Sequence, residues 1–343
     1  MNYDQLKKTA NGMVVKGKGI LAADESTPTC TKRFESINVE STIVNRNKYR
    51  DLLFSTPGME EYISGVIMYD ETIRQSTIDM GIPFAEYLMS KNVIPGIKVD
   101  MGVKPLALHF NEKITEGLDG LQQRLENYYT LGARFAKWRA VITIGDGTPT
   151  NACINANAHA LARYAALCQE TSIVPIVEPE IIMDGNHTVL TCYDVSIKTF
   201  SKVFEELDMH NIYLEGIVLK PNMVVSGIGC LEQASVEEVS ERTVECLRET
   251  VPDEVPGCAF LSGGQSNQDA TAHLNKMNAE YGGNLPWNLT FSYGRALQNS
   301  ALEAWRGEDQ NIVIAQEAFY QRAKYNSLAT WGKYSHQMEE VVA

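Results

Sequence analysis

The sequence predicts an α/β fold, a closed (β/α)8 TIM barrel with an extra N-terminal helix and a C-terminal segment. Three observations point there. Eight short apolar runs recur along 343 residues, amphipathic stretches of helical period separate them, and charged residues gather at the C-terminal ends of the runs. Such runs read as strands buried on both faces, the environment of a parallel sheet. An open doubly wound sheet has the same local pattern. A closed barrel needs roughly 250 residues, so this chain has room for decorations.

In chain order, a short helix is expected over 3–15, ahead of the first strand. The apolar runs lie at 19–23, 65–68, 94–99, 135–138, 173–177, 214–219, 257–261 and 288–291. Between them, Leu121, Leu125, Tyr128 and Leu131 stand near helical spacing, as do Ala160, Leu161, Tyr164, Ala165 and Cys168, and then Val195, Thr199, Val203 and Leu207. Ser235 and Glu238 form a capping box ahead of Val239, Val244 and Leu247. A further helix runs from Arg295 to Trp305. No low-complexity linker divides the chain, so 1–343 reads as one barrel domain with a short tail from about 334.

Composition narrows the function. A formal charge of −13 argues against nucleic acid or an anionic membrane as partner, and any phosphate site must be a local basic cluster working against the net field. Seven cysteines without a C-x-x-C spacing fit free thiols in a reducing compartment. The first ten residues lack a signal-peptide core, and no apolar run approaches membrane-spanning length. A cytoplasmic location is expected. The six histidines form no H-x-H or H-x-x-x-H pair, so a zinc enolisation site lacks its usual ligands. Neither G-x-G-x-x-G nor a P-loop is present, and no cofactor is expected.

In a barrel of this kind the active site lies at the C-terminal ends of the strands. There the runs meet Asp24, Lys98 with Asp100, Lys137 with Arg139, Glu178 with Glu180, Lys220, Ser262-Gly263-Gly264, and Ser292-Tyr293-Gly294-Arg295. Charges inside strand patterns are costly unless paired, and salt bridges between layers of the interior are the structural alternative. The run 214–219 ends in Lys220 and is stopped by Pro221. Burial and neighbouring cations both disfavour a charged amine, and a neutral amine attacks carbonyls. Lys98, Lys137 and Lys220 are each candidates on spacing alone; snorkelling to solvent is the alternative for any one of them. Glu178 is placed to shuttle protons while a carbinolamine loses water, and Asp24 to act as base on a substrate hydroxyl. A protonated imine is an electron sink beside a breaking C–C bond, which amounts to aldol cleavage without a metal. The turns at Ser262-Gly263-Gly264 and Gly294-Arg295 suit phosphate, in the loops where such barrels usually hold it. Lys32-Arg33 is a candidate second basic cluster; an exposed helix face is the alternative.

These residues resemble the class I fructose-bisphosphate aldolase family from about Leu6 to about Tyr334. The resemblance is carried by Gly19-Ile20-Leu21-Ala22-Ala23-Asp24-Glu25-Ser26-Thr27, Gly96-Ile97-Lys98-Val99-Asp100, Phe135-Ala136-Lys137-Trp138-Arg139, Val174-Pro175-Ile176-Val177-Glu178-Pro179-Glu180, Leu214-Glu215-Gly216 with Leu219-Lys220-Pro221-Asn222-Met223, Phe260-Leu261-Ser262-Gly263-Gly264-Gln265-Ser266 and Thr290-Phe291-Ser292-Tyr293-Gly294-Arg295-Ala296-Leu297-Gln298. It implies reversible cleavage of fructose 1,6-bisphosphate to dihydroxyacetone phosphate and glyceraldehyde 3-phosphate, with sedoheptulose 1,7-bisphosphate as a neighbouring substrate. It also implies roles. Lys220 matches the Schiff-base lysine, Glu178 the acid/base of imine formation and Asp24 the carboxylate near the cleaved bond. Lys137, Arg139 and Lys98 match active-site cations, and Glu180 completes V-E-P-E. Ser262, Gly263, Gly294 and Arg295 match the site of the dihydroxyacetone-phosphate end. Lys32, Arg33 and Arg46 match basic positions for the other phosphate. A homotetramer is implied as well. The chain departs from the pattern at Pro28 and Thr29, where many relatives have glycine and serine. Proline fixes φ, so a stiffer loop toward Lys32-Arg33 is expected. The chain also has no tyrosine after Tyr334, unlike relatives with a long tail.

Overall fold

The computed structural model describes residues 1–340, and the last three positions of the expected tail, 341–343, lie outside the described residues. Among the described residues ten strands form: β1 (Gly19–Ala23), β2 (Ile63–Met68), β3 (Ile94–Lys98), β4 (Val103–Pro105), β5 (Lys113–Thr115), β6 (Phe135–Ile142), β7 (Val174–Ile181), β8 (Val218–Leu219), β9 (Gly257–Phe260) and β10 (Asn288–Tyr293). Eight of them close the expected barrel in the order β1-β2-β3-β6-β7-β8-β9-β10, with every neighbour parallel. The other two, β4 and β5, make an antiparallel hairpin in the loop after β3.

The period of two along each strand sorts side chains between two cores. Ile20, Ala22, Ile67, Phe135, Val174, Ile176, Val218 and Ala259 pack in one cluster inside the barrel. Leu21, Ala23, Ala136, Trp138, Val177, Leu219 and Phe260 belong to the larger core between the strands and the helices. The N-terminal helix Tyr3–Met13 joins the inner cluster through Leu6, Ala10 and Met13, so it stoppers the N-terminal mouth. A Cβ at Gly96 would sit 2.2 Å from the Phe135 ring, because that ring fills the interior at this level. The inward rows thus begin apolar. Continuing β6 in steps of two gives Lys137 and Arg139, and continuing β7 gives Glu178 and Glu180.

The expected helices form as Leu121–Thr130, Asn151–Glu170, Val189–Met209, Val236–Thr250 and Arg295–Trp305. Ser235 Oγ accepts from the N–H of Glu238 at 3.2 Å, the first half of the expected capping box. Several expectations need correction. The run 214–219 is a strand only at Val218–Leu219, and Leu214–Gly216 is a 3-10 turn. β6 and β7 run four residues past the expected ends, so Arg139, Glu178 and Glu180 lie within strands. β10 runs on to Tyr293, which takes in Ser292. The expected stiff loop at Pro28 is a helix, Thr27–Glu35, with the proline in its first turn, where a missing N–H costs no helical bond. Helix Ile312–Thr330 has no counterpart in the sequence reading. The start of the expected tail is tied to it: Tyr334 is buried, Tyr325 Oη donates to the Met338 carbonyl at 2.6 Å, and Arg322 pairs with Glu339. No helix among the described residues is long and apolar enough to cross a membrane.

Candidate active site

At the C-terminal mouth of the barrel, four side chains form a line of alternating charge. Lys137 Nζ lies 2.7 Å from Asp24 Oδ2 and 3.4 Å from Glu178 Oε2, and Lys220 Nζ lies 3.2 Å from Glu178 Oε1. Parallel pairing places them: Lys137 is on β6, Glu178 on the adjacent β7, and Lys220 follows β8, while Asp24 follows β1 across the barrel. Lys137, Glu178 and Lys220 are all buried. The backbone N–H of Lys220 donates to the Val177 carbonyl at 2.8 Å, which fixes its Cα beside Glu178.

For Lys137 this line overturns the expectation of a depressed amine. Burial lowers the pKa of Lys137, but Asp24 and then Glu178 outweigh it and hold the ammonium well above its ordinary value. Burial would raise Asp24, yet Lys137 and then Lys220 hold its carboxyl well below the usual range. Glu178 is lowered in the same way, against burial, by Lys137 and then Lys220. Lys137 is therefore a fixed cation clamped by two carboxylates. Lys220 has one carboxylate neighbour, which can exchange a proton with it.

The signs give a pH prediction. A depressed carboxyl contributes stability above its unfolded value, and that stability is lost as the pH falls through its folded value. For Asp24 and Glu178 the loss begins below their ordinary values of 3.8 and 4.5. For Lys137 the contribution is present below 10.5 and is lost at higher pH, as the raised folded value is passed. Urea unfolding at pH 6, 4 and 3 is expected to show a falling free energy. Asp24→Asn should give a shallower fall, and parallel profiles for variant and wild type would refute the assignment.

The surrounding cavity, about 360 Å³, is lined by these four residues and by Arg33, Lys98, Arg139, Glu180, Ser262, Gly263, Gly294 and Arg295. Lys98 is paired with Asp100 at 2.6 Å, and Arg139 is paired with Glu180. Gly263 stands at φ +56°, in the left-handed region that favours glycine, and Arg295 donates to its carbonyl, which holds the two turns together. Burial lowers the Arg295 pKa, and repulsion from Arg33 and Arg139 adds to it while Glu180 opposes. Three guanidiniums so placed favour an anion between them. Ser292 Oγ is buried and has no hydrogen-bond partner among the described residues, which leaves a donor for a ligand. The Gly264 N–H points elsewhere, 3.0 Å from Met183 Sδ.

Two expected residues are not brought to the cavity. Lys32 is exposed on helix Thr27–Glu35, because only the face carrying Arg33 turns inward. Arg46 is buried in helix Ile43–Phe54, where Nε and Nη2 grip Glu71 at 2.7 and 2.6 Å. Glu25, which follows the first strand, is given no role by the sequence reading. Glu25 holds Arg33 at 2.5 Å and Arg50 at 2.6 Å, and accepts from Gln298 at 3.0 Å. It is the outward neighbour of Asp24, and it aims Arg33 at the cavity. The adjoining cavity of about 840 Å³ opens past Ser26, Thr29, Lys98 and Arg139. A third, of about 900 Å³, lies against helix Ile312–Thr330 and shares no residue with the site. Cys258 is wholly buried, and burial pushes its thiol well up, so it is a packed thiol.

Comparison with known proteins agrees with this geometry. A family model described as "Glycolytic: Fructose-bisphosphate aldolase class-I" matches residues 5–343. A probable fructose-bisphosphate aldolase class 1 of Xanthomonas campestris pv. campestris is 58% identical over 335 residues, covering 97% of this chain and 99% of the relative. A fructose-bisphosphate aldolase 1 of Toxoplasma gondii is 51% identical over 332 residues, 96% of this chain and 91% of the relative. The solved structure of the Plasmodium falciparum aldolase, in a ternary complex with TRAP and a small-molecule inhibitor, superposes with a TM-score of 0.95 at 50% identity, covering 97% of this chain and 96% of that one. The chain belongs to the class I fructose-bisphosphate aldolase family, lyases that work without a metal.

Proposed function

We propose that Lys220 forms the imine in a reversible cleavage of fructose 1,6-bisphosphate to dihydroxyacetone phosphate and glyceraldehyde 3-phosphate. The observation that carries the assignment is the 3.2 Å contact between Lys220 Nζ and a Glu178 carboxylate that also faces the fixed cation Lys137. Glu178 takes the proton of the Lys220 ammonium, and the neutral amine adds to the C2 carbonyl. Glu178 returns that proton to the departing hydroxyl, so water leaves and a protonated imine forms. The C3–C4 bond then breaks, its electrons pass to the imine nitrogen, and the C4 hydroxyl gives its proton to Asp24. Two dianionic phosphates in the cavity weaken the cationic field on Asp24 and raise its pKa toward a useful range. Lys137 holds the hydroxyl against Asp24. Ser262, Gly263, Ser292, Gly294 and Arg295 bind one phosphate, and Arg33, expected at the other phosphate, joins them because its guanidinium lies against the Gly294 turn; Lys98 and Arg139 face the other phosphate.

Borohydride reduction in the presence of dihydroxyacetone phosphate and EDTA, followed by peptide mass mapping, tests the nucleophile. An adduct on Lys220 is expected. An adduct on Lys137 or Lys98 would overturn the assignment, and no adduct in protein shown to bind the ligand would sink the imine route.

We infer in addition a cytoplasmic homotetramer, as the family resemblance implies. Leu108 and Phe110, at the tip of the β4–β5 hairpin, are almost fully exposed, as apolar side chains that dock against another copy would be in a lone subunit. Light scattering is expected to give four times the chain mass of 38.1 kDa, and a monomer at micromolar concentration would refute it.

A further inference from the structure

Helices Asn151–Glu170 and Val189–Met209 follow β6 and β7 and pack against each other in the outer layer. They bring together three ligating side chains remote in sequence. His159 comes from the first helix, Glu206 lies on the last turn of the second, and His210 caps its C-terminus. One ring nitrogen of each histidine and a Glu206 oxygen all lie within 4.8 Å of one another. We propose that His159, Glu206 and His210 bind one divalent transition-metal ion of the zinc type, which clips the two helices together.

Glu206 and His210 are four residues apart on a helix and share one face. Two imidazoles and a carboxylate form a borderline-soft set, which suits Zn²⁺, Co²⁺, Ni²⁺ or Cu²⁺ rather than Ca²⁺ or Mg²⁺. Bonds of about 2.0–2.1 Å at tetrahedral angles set ligand atoms about 3.3 Å apart. His159 Nδ1 and Glu206 Oε2 are already 3.1 Å apart. His210 Nδ1 stands 3.9 Å from the same oxygen, and its competing bond is to the Glu206 carbonyl at 2.8 Å. A small ring rotation exchanges that bond for the metal. The two rings meet edge to face, with centroids 5.1 Å apart, so both can converge on one point.

The carboxylate is prepared for this role. The Glu206 side chain is 9% exposed, and its other oxygen, Oε1, lies 3.3 Å from Lys202, which Glu205 holds in turn at 3.2 Å. Lys202 therefore orients the carboxylate without occupying the oxygen that faces the histidines. His159 is 52% exposed and gives the ion an entry path. Three protein ligands leave a fourth position for water, so the ion is exchangeable. The clip lies behind the strands that carry Lys137, Arg139, Glu178 and Glu180, and no step of the imine route passes through it.

The test uses the full chain stripped with chelator, then titrated with Zn²⁺ by calorimetry and with Co²⁺ by absorption, alongside thermal melts. About one equivalent of Zn²⁺ per chain is expected, with a higher Tm. His159→Gln and Glu206→Gln should each weaken binding by tenfold or more. His159→Gln, at a half-exposed position, should keep the metal-free Tm and basal cleavage rate. An absence of Zn²⁺ binding would overturn the site. Binding of equal affinity and stoichiometry in both variants would also overturn it, by placing the ion on other groups such as Cys230, the one cysteine that is not buried.

Discussion

Lys220→Met is expected to lower kcat by at least about 10⁴-fold, the scale seen when an enzyme loses its covalent nucleophile. The variant should no longer be trapped by borohydride. It should also remain folded. Methionine fills nearly the same volume, and Glu178 keeps Lys137 at 3.4 Å as its counter-charge, so no carboxylate is orphaned. Lys137→Met should behave differently. It strips Asp24 of its 2.7 Å partner in a buried setting, and breaking such a pair costs about 3–5 kcal/mol of stability in addition to activity. Thermal melts beside single-turnover rates separate the two. Equal destabilisation by both substitutions would refute the division between a fixed cation and an exchangeable amine.

A loss of stability on the same scale is expected from Glu25→Ala. The Glu25 side chain is 5% exposed, and burial works against its charge, but Arg33 and Arg50 outweigh it and lower its pKa. Removing it leaves Arg50, with a side chain 3% exposed, beside a second guanidinium and without its anion. A loss of about 3–5 kcal/mol follows, read by urea unfolding. KM for the bisphosphate should rise as well, because Arg33 loses the contact that aims it into the cavity. Glu25→Gln retains the shape and should lose less. A stability change below about 1 kcal/mol for the alanine variant would place the pair among surface bridges of little worth.

Much of this was legible in the residues. Eight apolar runs alternating with helical patterns pointed to the closed barrel, with an open doubly wound sheet sharing the local pattern, and the polar residues beyond the runs gave Asp24, Glu178 and an unranked set of Lys98, Lys137 and Lys220. What escaped did so for physical reasons. Helix Ile312–Thr330 buries one face, but that face carries Arg322, Asn326 and Thr330 beside Ala315, Phe319 and Ala323, while Val313 and Ile314 are exposed, so the sequence shows no one-sided apolar stripe. Lys137 could not be told from Lys220 because charge pairing across strands depends on register, which spacing along the chain does not contain. Glu25 stood beside Asp24 in plain view, but its partners Arg33 and Arg50 are on two separate helices. Glu206 and His210 contain no histidine pair to mark them, and their third neighbour, His159, lies 47 residues from Glu206.

The long pairing of β6 with β7 runs through eight residues, with Lys137 opposite Ile176 and Arg139 opposite Glu178. Because side chains alternate faces, a slip of one residue would turn Lys137 and Arg139, or Glu178 and Glu180, away from the mouth and into the dry layer against the helices. Each would meet apolar neighbours such as Trp138 and Val177 now occupy, without its counter-ion, at a prohibitive desolvation cost. The charges that handle the substrate therefore also proofread assembly: a mispaired barrel is rejected by the same ions that make a correctly paired one reactive.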